Sequence, residues 1–518
     1  MKPKLILLAL CLVLVTVTAC DAPSPGGTVN YALVGEPELL NPLLPSNDAA
    51  LTVEDCIFQG LLSYDENLQL RGQLAQSWET SSDNLELTFY LRDDVIWHDG
   101  TPFTAGDVEF TFATLVADEK LAGDFSLLED IEVLDEHTIK FTVSEVQGSF
   151  LANFTQGIVP RHIFDPEIAQ EDLSDNAASW QPVGTGPFVF GAWVDNQYLT
   201  LERNEDYYGA SPYLDGLCFK FYPDMTSALS ALETGEVDFL EDVPPELAEE
   251  LEPLAETHSF HIYNDEGYQA LIFNFRTDAP WQDSQVRSAM AYALDRDKIV
   301  EEVLDGYGVV MDSPQPPTSW IHSEDVSHYG YDPALARLLL NRAGWLQDSD
   351  GWRYKDGERL TCQLTLREDS DFHIAVAQQV LTFWQDVGIE VELNELDLPN
   401  LLGQHVYPGN FDLVLMGFSI GPDPDVYDFF HTTAVKKGMN PGKYSNDEVD
   451  RLLVKGRNTM DIETRRQTYS ELQIILSEDL PYIFLFSKGF TAVVSNDVDG
   501  ITMSPQGPVQ PEKWYMAK

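Results

Sequence analysis

Apolar and polar positions along the chain follow two periods. From Leu85, the apolar Leu85, Leu87, Phe89 and Leu91 alternate with Glu86, Thr88, Tyr90 and Arg92, the period of two that turns one face of a strand to a core and the other to water. A turn at His98-Asp99-Gly100 follows. Thr104 with Asp107 three residues on predicts a helix start, and Val108, Phe112 and Leu115 form that helix's apolar stripe. Farther on, Val286, Ala289, Met290, Ala293 and Leu294 repeat at helical spacing behind Asp283 or Ser284, either of which suits the N-cap. Asp332 then Pro333 opens another helix, and Gly344 closes it. Trp352 to Leu366 reads as a hairpin turning at Asp356-Gly357, a pair that accepts the positive backbone angles of a tight turn; Leu360, Cys362, Leu364 and Leu366 alternate in its second strand. A helix with Ile374, Ala377, Leu381 and Trp384 then passes Gly388 to a strand with Ile389, Val391 and Leu393, a strand-helix-strand unit. Short apolar runs at Ala270–Phe273, Phe411–Met416 and Tyr482–Phe486 have the composition of strands covered on both faces. The last of them follows a helical stretch from about Ile462 to Glu478 that Pro481 stops.

Alternating strands and helices predict an α/β fold. The region from Tyr268 to Phe486 is bracketed by strands, as a lobe inserted into another lobe and joined to it by two crossing segments would be. Ahead of all this, Lys2 and Lys4 precede an apolar run from Leu5 to Val15 that ends in small residues before Cys20. That run is shorter than the roughly 20 residues a bilayer span needs, so residues 1–19 read as a secretory signal peptide. Asp21 to Gly27 is rich in Pro, Ser and Gly, so residues 20–27 read as a tether. The roughly 490 residues that remain exceed one hydrophobic core and suit two or three domains.

Charge narrows the function further. With 86 acidic against 30 basic residues the formal net charge is −56, which opposes binding to nucleic acid phosphates. It suits either cationic ligands or a generally acidic, soluble surface, and the second reading is the simpler. Cys11 falls in the signal segment, and Cys56, Cys218 and Cys362 are widely spaced, so at most one disulfide is expected, with no zinc site and no other metal or cofactor site. Gly417-Phe418-Ser419-Ile420-Gly421 matches the GxSxG of a hydrolase elbow, but an elbow turns directly into a helix and its histidine follows an acid later in the chain. Pro422 and Pro424 obstruct that helix, and His431 is the last histidine, twelve residues on. His258 and His261 lack the glutamate of a zinc-hydrolase helix, and Asp348-Ser349-Asp350-Gly351 lacks the spacing of a calcium loop.

Two resemblances complete the reading. Val17-Thr18-Ala19-Cys20 resembles the lipobox of bacterial lipoproteins, which implies cleavage before Cys20, lipidation of its thiol and a place on the outer face of the cytoplasmic membrane, held by the lipid alone. Ala75 to Phe112, AQSWETSSDNLELTFYLRDDVIWHDGTPFTAGDVEFTF, resembles the signature region of the peptide/nickel family of ABC solute-binding proteins, family 5. Leu39–Pro42, Gly184–Phe188, Leu201–Tyr207, Asp283–Lys298, Tyr331–Trp345 and Asp423–Asp425 follow in that family's order. The resemblance implies a non-enzymatic, monomeric binding protein with a two-lobed Venus-flytrap fold, class II-like, that delivers peptides or related small solutes to an ABC permease and its ATPase. It implies a first-lobe core of residues 28–60, 184–267 and 488–518, an extra subdomain over 61–183, and a second lobe over 268–487. It implies ligand contacts at Glu36, Tyr268, Asn274, Gly417, Phe418, Ser419, Asp423 and Phe486, with Gly417 to Ser419 pairing its backbone with an extended ligand and Phe418 forming an apolar wall. In this sequence Ser419-Ile420-Gly421-Pro422 lacks the acid that peptide-binding members place before the following Asp-Pro to meet a ligand amine. A secreted hydrolase using Ser419, or the same fold holding a metal chelate, an oligosaccharide or a signalling peptide, stays open at this stage.

Overall fold

The computed structural model describes residues 25–117, 123, 125–164, 170–275, 278–437 and 439–517. The signal segment, Cys20 and the tether as far as Ser24 lie outside them. The strands that position the site are β1 (Thr28–Val34), β2 (Gly216–Tyr222), β3 (Phe239–Val243), β4 (His258–Asn264), β5 (Tyr268–Phe273), β6 (Thr361–Arg367), β7 (Glu390–Leu396), β8 (Leu413–Phe418) and β9 (Tyr482–Ser495). They form one path of hydrogen-bonded neighbours in the order β7-β6-β8-β5-β9-β3-β1-β2, continued by Tyr198–Arg203 and Phe188–Val194, with β4 also paired to β9.

The molecule is a two-lobed α/β protein whose lobes share β9. Residues Tyr482 to Phe486 pair antiparallel with β5, whereas Gly489 to Ser495 pair with β4 and, through Thr491, Val493 and Val494, with β3. Between these stretches, at Ser487 and Lys488, the strand passes from one lobe to the other beside Gly308–Val310. The chain makes its other crossing at Asp265–Gly267, between β4 and β5. The crossings are tied to each other: the Asp265 N–H donates to the Lys488 carbonyl at 2.8 Å, and the Ser487 hydroxyl donates to the Asp265 carbonyl at 2.8 Å.

The central strands of the second lobe, β5, β8 and the first part of β9, are largely apolar because both faces of their sheet are covered. Leu271, Phe273, Leu413, Leu415, Ile483 and Leu485 face one core with Val286 and Trp384. The alternate residues Ala270, Ile272, Val414, Tyr482 and Phe484 face another with Phe430, Leu472 and Leu476. In the first lobe, β1 and β2 share a continuous core with a separate four-stranded sheet. There the alternation from Leu85 appears as a strand over Glu86–Leu91 with Leu87, Phe89 and Leu91 buried.

Local signals place the helices. Ala105–Ala117 is helical, and the Asp107 carboxylate reaches back to the Thr104 N–H at 2.9 Å. Asp283 caps Ser284–Tyr292, Asp332 caps Pro333–Arg342, and Gly344 ends that helix with φ +89°. The signature turn is pinned by His98, whose Nδ1 accepts from the Gly184 N–H at 3.2 Å while Nε2 lies 3.0 Å from the Gly186 carbonyl. Burial holds that imidazole down to about 4, in keeping with a neutral ring that accepts at one nitrogen and donates at the other.

Other expectations shift. The hairpin at Asp356-Gly357 is confined to Arg353–Lys355 and Glu358–Arg359. The alternating residues after it leave the hairpin and form β6, parallel to β7 and β8. The strand expected at Phe411–Met416 runs over Leu413–Phe418, and the one expected at Tyr482–Phe486 continues to Ser495. Cys56, Cys218 and Cys362 are free thiols.

Ser487 is fully buried, and its hydroxyl ties the two crossings. Ser487→Ala removes the donor to the part-buried Asp265 carbonyl and is expected to lower the free energy of unfolding by about 1 kcal/mol. Thermal or urea denaturation reads this, and an unchanged midpoint would show that the tie adds no stability.

Candidate functional site

At the crossing, β5 and β8 lie side by side, with Tyr268 opposite Phe418 and Gln269 opposite Gly417. On its other flank β8 pairs with β6 only at Leu413 and Val414. From Met416 onward that flank is therefore open. A Cβ added to Gly267 would sit 2.3 Å from the Phe418 carbonyl oxygen, so Phe418 turns its main-chain groups toward β5. Main-chain groups of successive residues in a strand point to opposite edges, so Gly417 and Ser419 present theirs to the open flank. Ser419 is exposed and follows the strand directly.

The Phe418 ring packs on Tyr482 at 5.8 Å, Tyr268 at 5.5 Å and Phe429 at 5.0 Å. It is half-buried, and so serves the second-lobe core as well as the cleft. Tyr268 is 2% exposed and its hydroxyl has no hydrogen-bond partner. Asp423 is held by Arg465 through two bonds of 2.7 and 2.8 Å, and Asp425 by Arg457 at 2.6 Å, a guanidinium that also lies over the Tyr427 ring. The Arg465 guanidinium meets the first lobe as well. A Cβ on Gly148 would lie 2.4 Å from the Thr459 carbonyl oxygen and 3.0 Å from Arg465 Nε, so the lobes touch there almost main chain to main chain.

The structure thus sets Tyr268 beside Phe418, with Gly417 and Ser419 next along the chain, and turns the Tyr268 ring into the core; Asp423, on the loop that follows, is engaged by Arg465, and the other expected contacts stand apart. Glu36 is in the first lobe, and its carboxylate accepts from Trp193 Nε1 at 2.8 Å and from the Asn196 N–H at 3.0 Å. Asn274 follows the far end of β5, about 20 Å of strand from Tyr268 at ~3.3 Å per residue. It is wholly buried, its amide donating to the Gly409 and Phe411 carbonyls and its own carbonyl accepting from Trp281. Phe486 is also wholly buried, with Phe372 6.0 Å away. Strand geometry turns both side chains into the core, and their nearness to the crossing in sequence does not bring them to the cleft.

Other groups stand at the site without a sequence signal of their own. Gln269 fills the space over Gly417, where an added Cβ would meet its amide at 2.3 Å. His373 Nε2 lies 3.3 Å from Gln269 Oε1, and its Nδ1 is bonded to Ser370, the N-cap of its helix. Burial, with Arg367 and Lys488 nearby, holds this imidazole down to about 4. Glu266, on the crossing between β4 and β5, has a buried carboxyl oxygen with no hydrogen-bond partner, and burial together with Asp265 pushes its carboxyl up to about 7.

Hydrolase chemistry has no footing at Ser419. The next helix begins only at Tyr427, and the His431 ring stacks on Tyr427 at 4.1 Å, with its Nδ1 bonded to Thr433. Among the described residues no cluster of His, Cys, Asp or Glu is placed to hold a metal ion, and no helix is long and apolar enough to cross a membrane. A shallow depression of about 460 Å³ on the first lobe, lined by Thr101, Asp107 and Arg161 among others, lies away from the crossing.

Comparison with known proteins follows the same lines. The family described as bacterial extracellular solute-binding proteins, family 5 Middle, matches residues 69–441. The chain is 30% identical to the oligopeptide-binding protein AppA of Bacillus subtilis over 509 residues, 96% of this chain and 93% of that protein. The structure of that AppA in complex with a nonapeptide superposes with a TM-score of 0.68 at 29% identity, covering 96% of this chain and 100% of that one. NikZ from Campylobacter jejuni in complex with Ni(L-His) gives 0.69 at 27% identity, covering 94% and 99%.

The Asp423–Arg465 pair yields a test of its own. Arg465 is 5% exposed, and Arg465→Ala leaves Asp423 without its cation, which is expected to lower the free energy of unfolding by about 3–5 kcal/mol. Adding Asp423→Ala removes the stranded charge and is expected to recover part of that loss. A double variant as unstable as the sum of both single variants would show that the pair is not coupled.

Proposed function

The chain belongs to the bacterial extracellular solute-binding proteins of family 5, and from that premise we propose that it captures a peptide or related small solute between its lobes and hands it to an ABC permease. Members of this family are transport binding proteins, not enzymes. The observation that carries the peptide reading is the open flank of β8. Gly417 and Ser419 offer main-chain donors and acceptors there, so an extended ligand adds as a strand, with affinity drawn from backbone bonds and side chains free to vary. Likeness to a protein bound to a nonapeptide supports the same reading. Likeness to NikZ with Ni(L-His) supports a chelate as the second candidate, although no metal-holding cluster occurs among the described residues.

Capture works through the crossings. Ligand seated on β8 that also touches the first lobe favours the closed arrangement by the contacts only closure makes. Phe418 supplies an apolar wall, while Asp423 acts by holding Arg465 in place at the lobe contact. The lipobox further supports a lipidated Cys20 that keeps the protein, as a monomer, on the outer face of the cytoplasmic membrane beside its permease.

Solution scattering is expected to show a smaller radius of gyration when ligand is added to protein first shown to be open, together with a melting temperature that rises with ligand concentration. A tightly bound ligand that leaves the radius unchanged overturns the flytrap reading. Ser419→Ala keeps the main chain and is expected to change affinity by less than about tenfold; a larger loss would move recognition to the hydroxyl. Cys20→Ser is expected to release the protein from the membrane fraction, and its retention there would place the anchor elsewhere.

A further inference from the structure

Gly148 has no local reason to be a glycine. It opens a short 3₁₀ helix over Gly148–Thr155, and it is not among the residues of positive φ, so its backbone would accept any L-residue. What excludes a side chain is the other lobe. The three atoms nearest to a Cβ placed there all belong to the second lobe: the Thr459 carbonyl oxygen at 2.4 Å, Arg465 Nε at 3.0 Å and Arg465 Cζ at 3.1 Å. Both sides of this contact are anchored. Phe150 and Phe154, on the same short helix, are buried in the first-lobe core. Thr459 joins the helices Asp447–Arg457 and Ile462–Asp479, while Arg465 donates through Nε to the Gly456 carbonyl at 3.3 Å and grips Asp423 with both terminal nitrogens. None of these residues lies on the crossing segments, so only the approach of one lobe to the other brings them together.

We propose that Gly148 sets the affinity for ligand without touching it: the missing side chain lets the lobes reach the closed arrangement, and Arg465 with Asp423 links that contact to the loop following β8. This rests on the flytrap reading above. A methyl group at 148 has to displace either the Thr459 carbonyl or the whole lobe, and close-packed anchors on both sides resist giving way. The penalty falls on the closed form alone, since the open form does not make the contact. Ligand then has to drive closure against that penalty, and its apparent affinity drops with the population able to close. Because residue 148 is a positioning residue that meets no ligand atom, every ligand held in the closed form loses affinity by the same factor. A residue that lined the ligand would instead change the ranking of ligands.

The whole protein is compared as wild type, Gly148→Ala, Gly148→Leu and Gly330→Leu. The last is a control, since Gly330 is an exposed glycine of the second lobe with nothing within 4 Å of an added Cβ. Melting curves without ligand check folding, and Gly148→Ala carries the test should Gly148→Leu fail to fold. The probes are a pool of random pentapeptides, with retained peptides quantified by mass spectrometry, and Ni(II) with L-histidine; scattering gives the radius of gyration with and without each. Gly148→Ala is expected to bind at least about fivefold more weakly and Gly148→Leu at least about thirtyfold more weakly. The order of preference among peptides is expected to stay as in the wild type, and the radius of the Leu variant to remain near its ligand-free value. Gly330→Leu is expected to match the wild type in both readouts. If the wild type shrinks on binding and Gly148→Leu binds as tightly and shrinks as far, the assignment of Gly148 is overturned while the flytrap reading stands. A loss that reorders the peptides also overturns it, by placing residue 148 against the ligand. A wild type that retains neither probe, or holds one without shrinking, overturns the flytrap reading and this assignment with it.

Discussion

Everything about this molecule depends on β9 being one unbroken strand. Its first residues complete the sheet of the second lobe and its last complete that of the first, so each lobe's core includes residues that the other lobe's fold holds in line. A ladder of main-chain bonds resists being pulled apart far more than it resists twisting. Relative motion of the lobes is therefore channelled into the short stretch around Ser487 and Lys488 and its companion at Asp265 to Gly267. Because these two are bonded to each other, they move together. The open flank of β8 is one strand removed from this axis, close to the pivot, where a given rotation displaces the lobes least.

Much of the fold was legible in the sequence, because the signals that fixed it are local. Thr104 with Asp107, Asp332 with Pro333 and the alternation from Leu85 act over a few residues and appear where expected. What escaped was long-range. Leu360, Cys362, Leu364 and Leu366 alternate equally well in a hairpin arm and in a buried parallel strand, and only the arrival of β7 and β8 decides between them. The apolar run at Tyr482–Phe486 stops at Ser487 and Lys488, yet the strand does not, since the crossing satisfies those polar residues with partners distant in sequence. Around Gly417 to Ser419, the apolar run made a strand legible but not where it ends. The burial of Asn274 and Phe486 was not legible, because nearness to the crossing says nothing about which side of a strand a side chain takes. Glu266 and His373 gain their setting only when Gly267, Gln269 and the first lobe close around them.

The acidic composition also looks different with the lobes assembled. A net charge of −56 alone suggests unfocused repulsion, but two acids on the loop after β8 each have an arginine. Asp423 and Asp425 are matched by guanidinium groups packed on aromatic rings. Such pairs fix loop geometry by direction as well as by charge, since a planar fork matches a carboxylate in few orientations. The loop after β8 is thus held firmly while its neighbouring main chain stays available.

The contact between Gly148 and the Thr459 carbonyl sets the spacing of the lobes at that point. Side chains that meet across a gap can change rotamer and let the gap settle at different widths. Two stretches of main chain have no such latitude, so the spacing there is fixed by the backbone itself, and any residue larger than glycine at 148 would act as a wedge between the lobes.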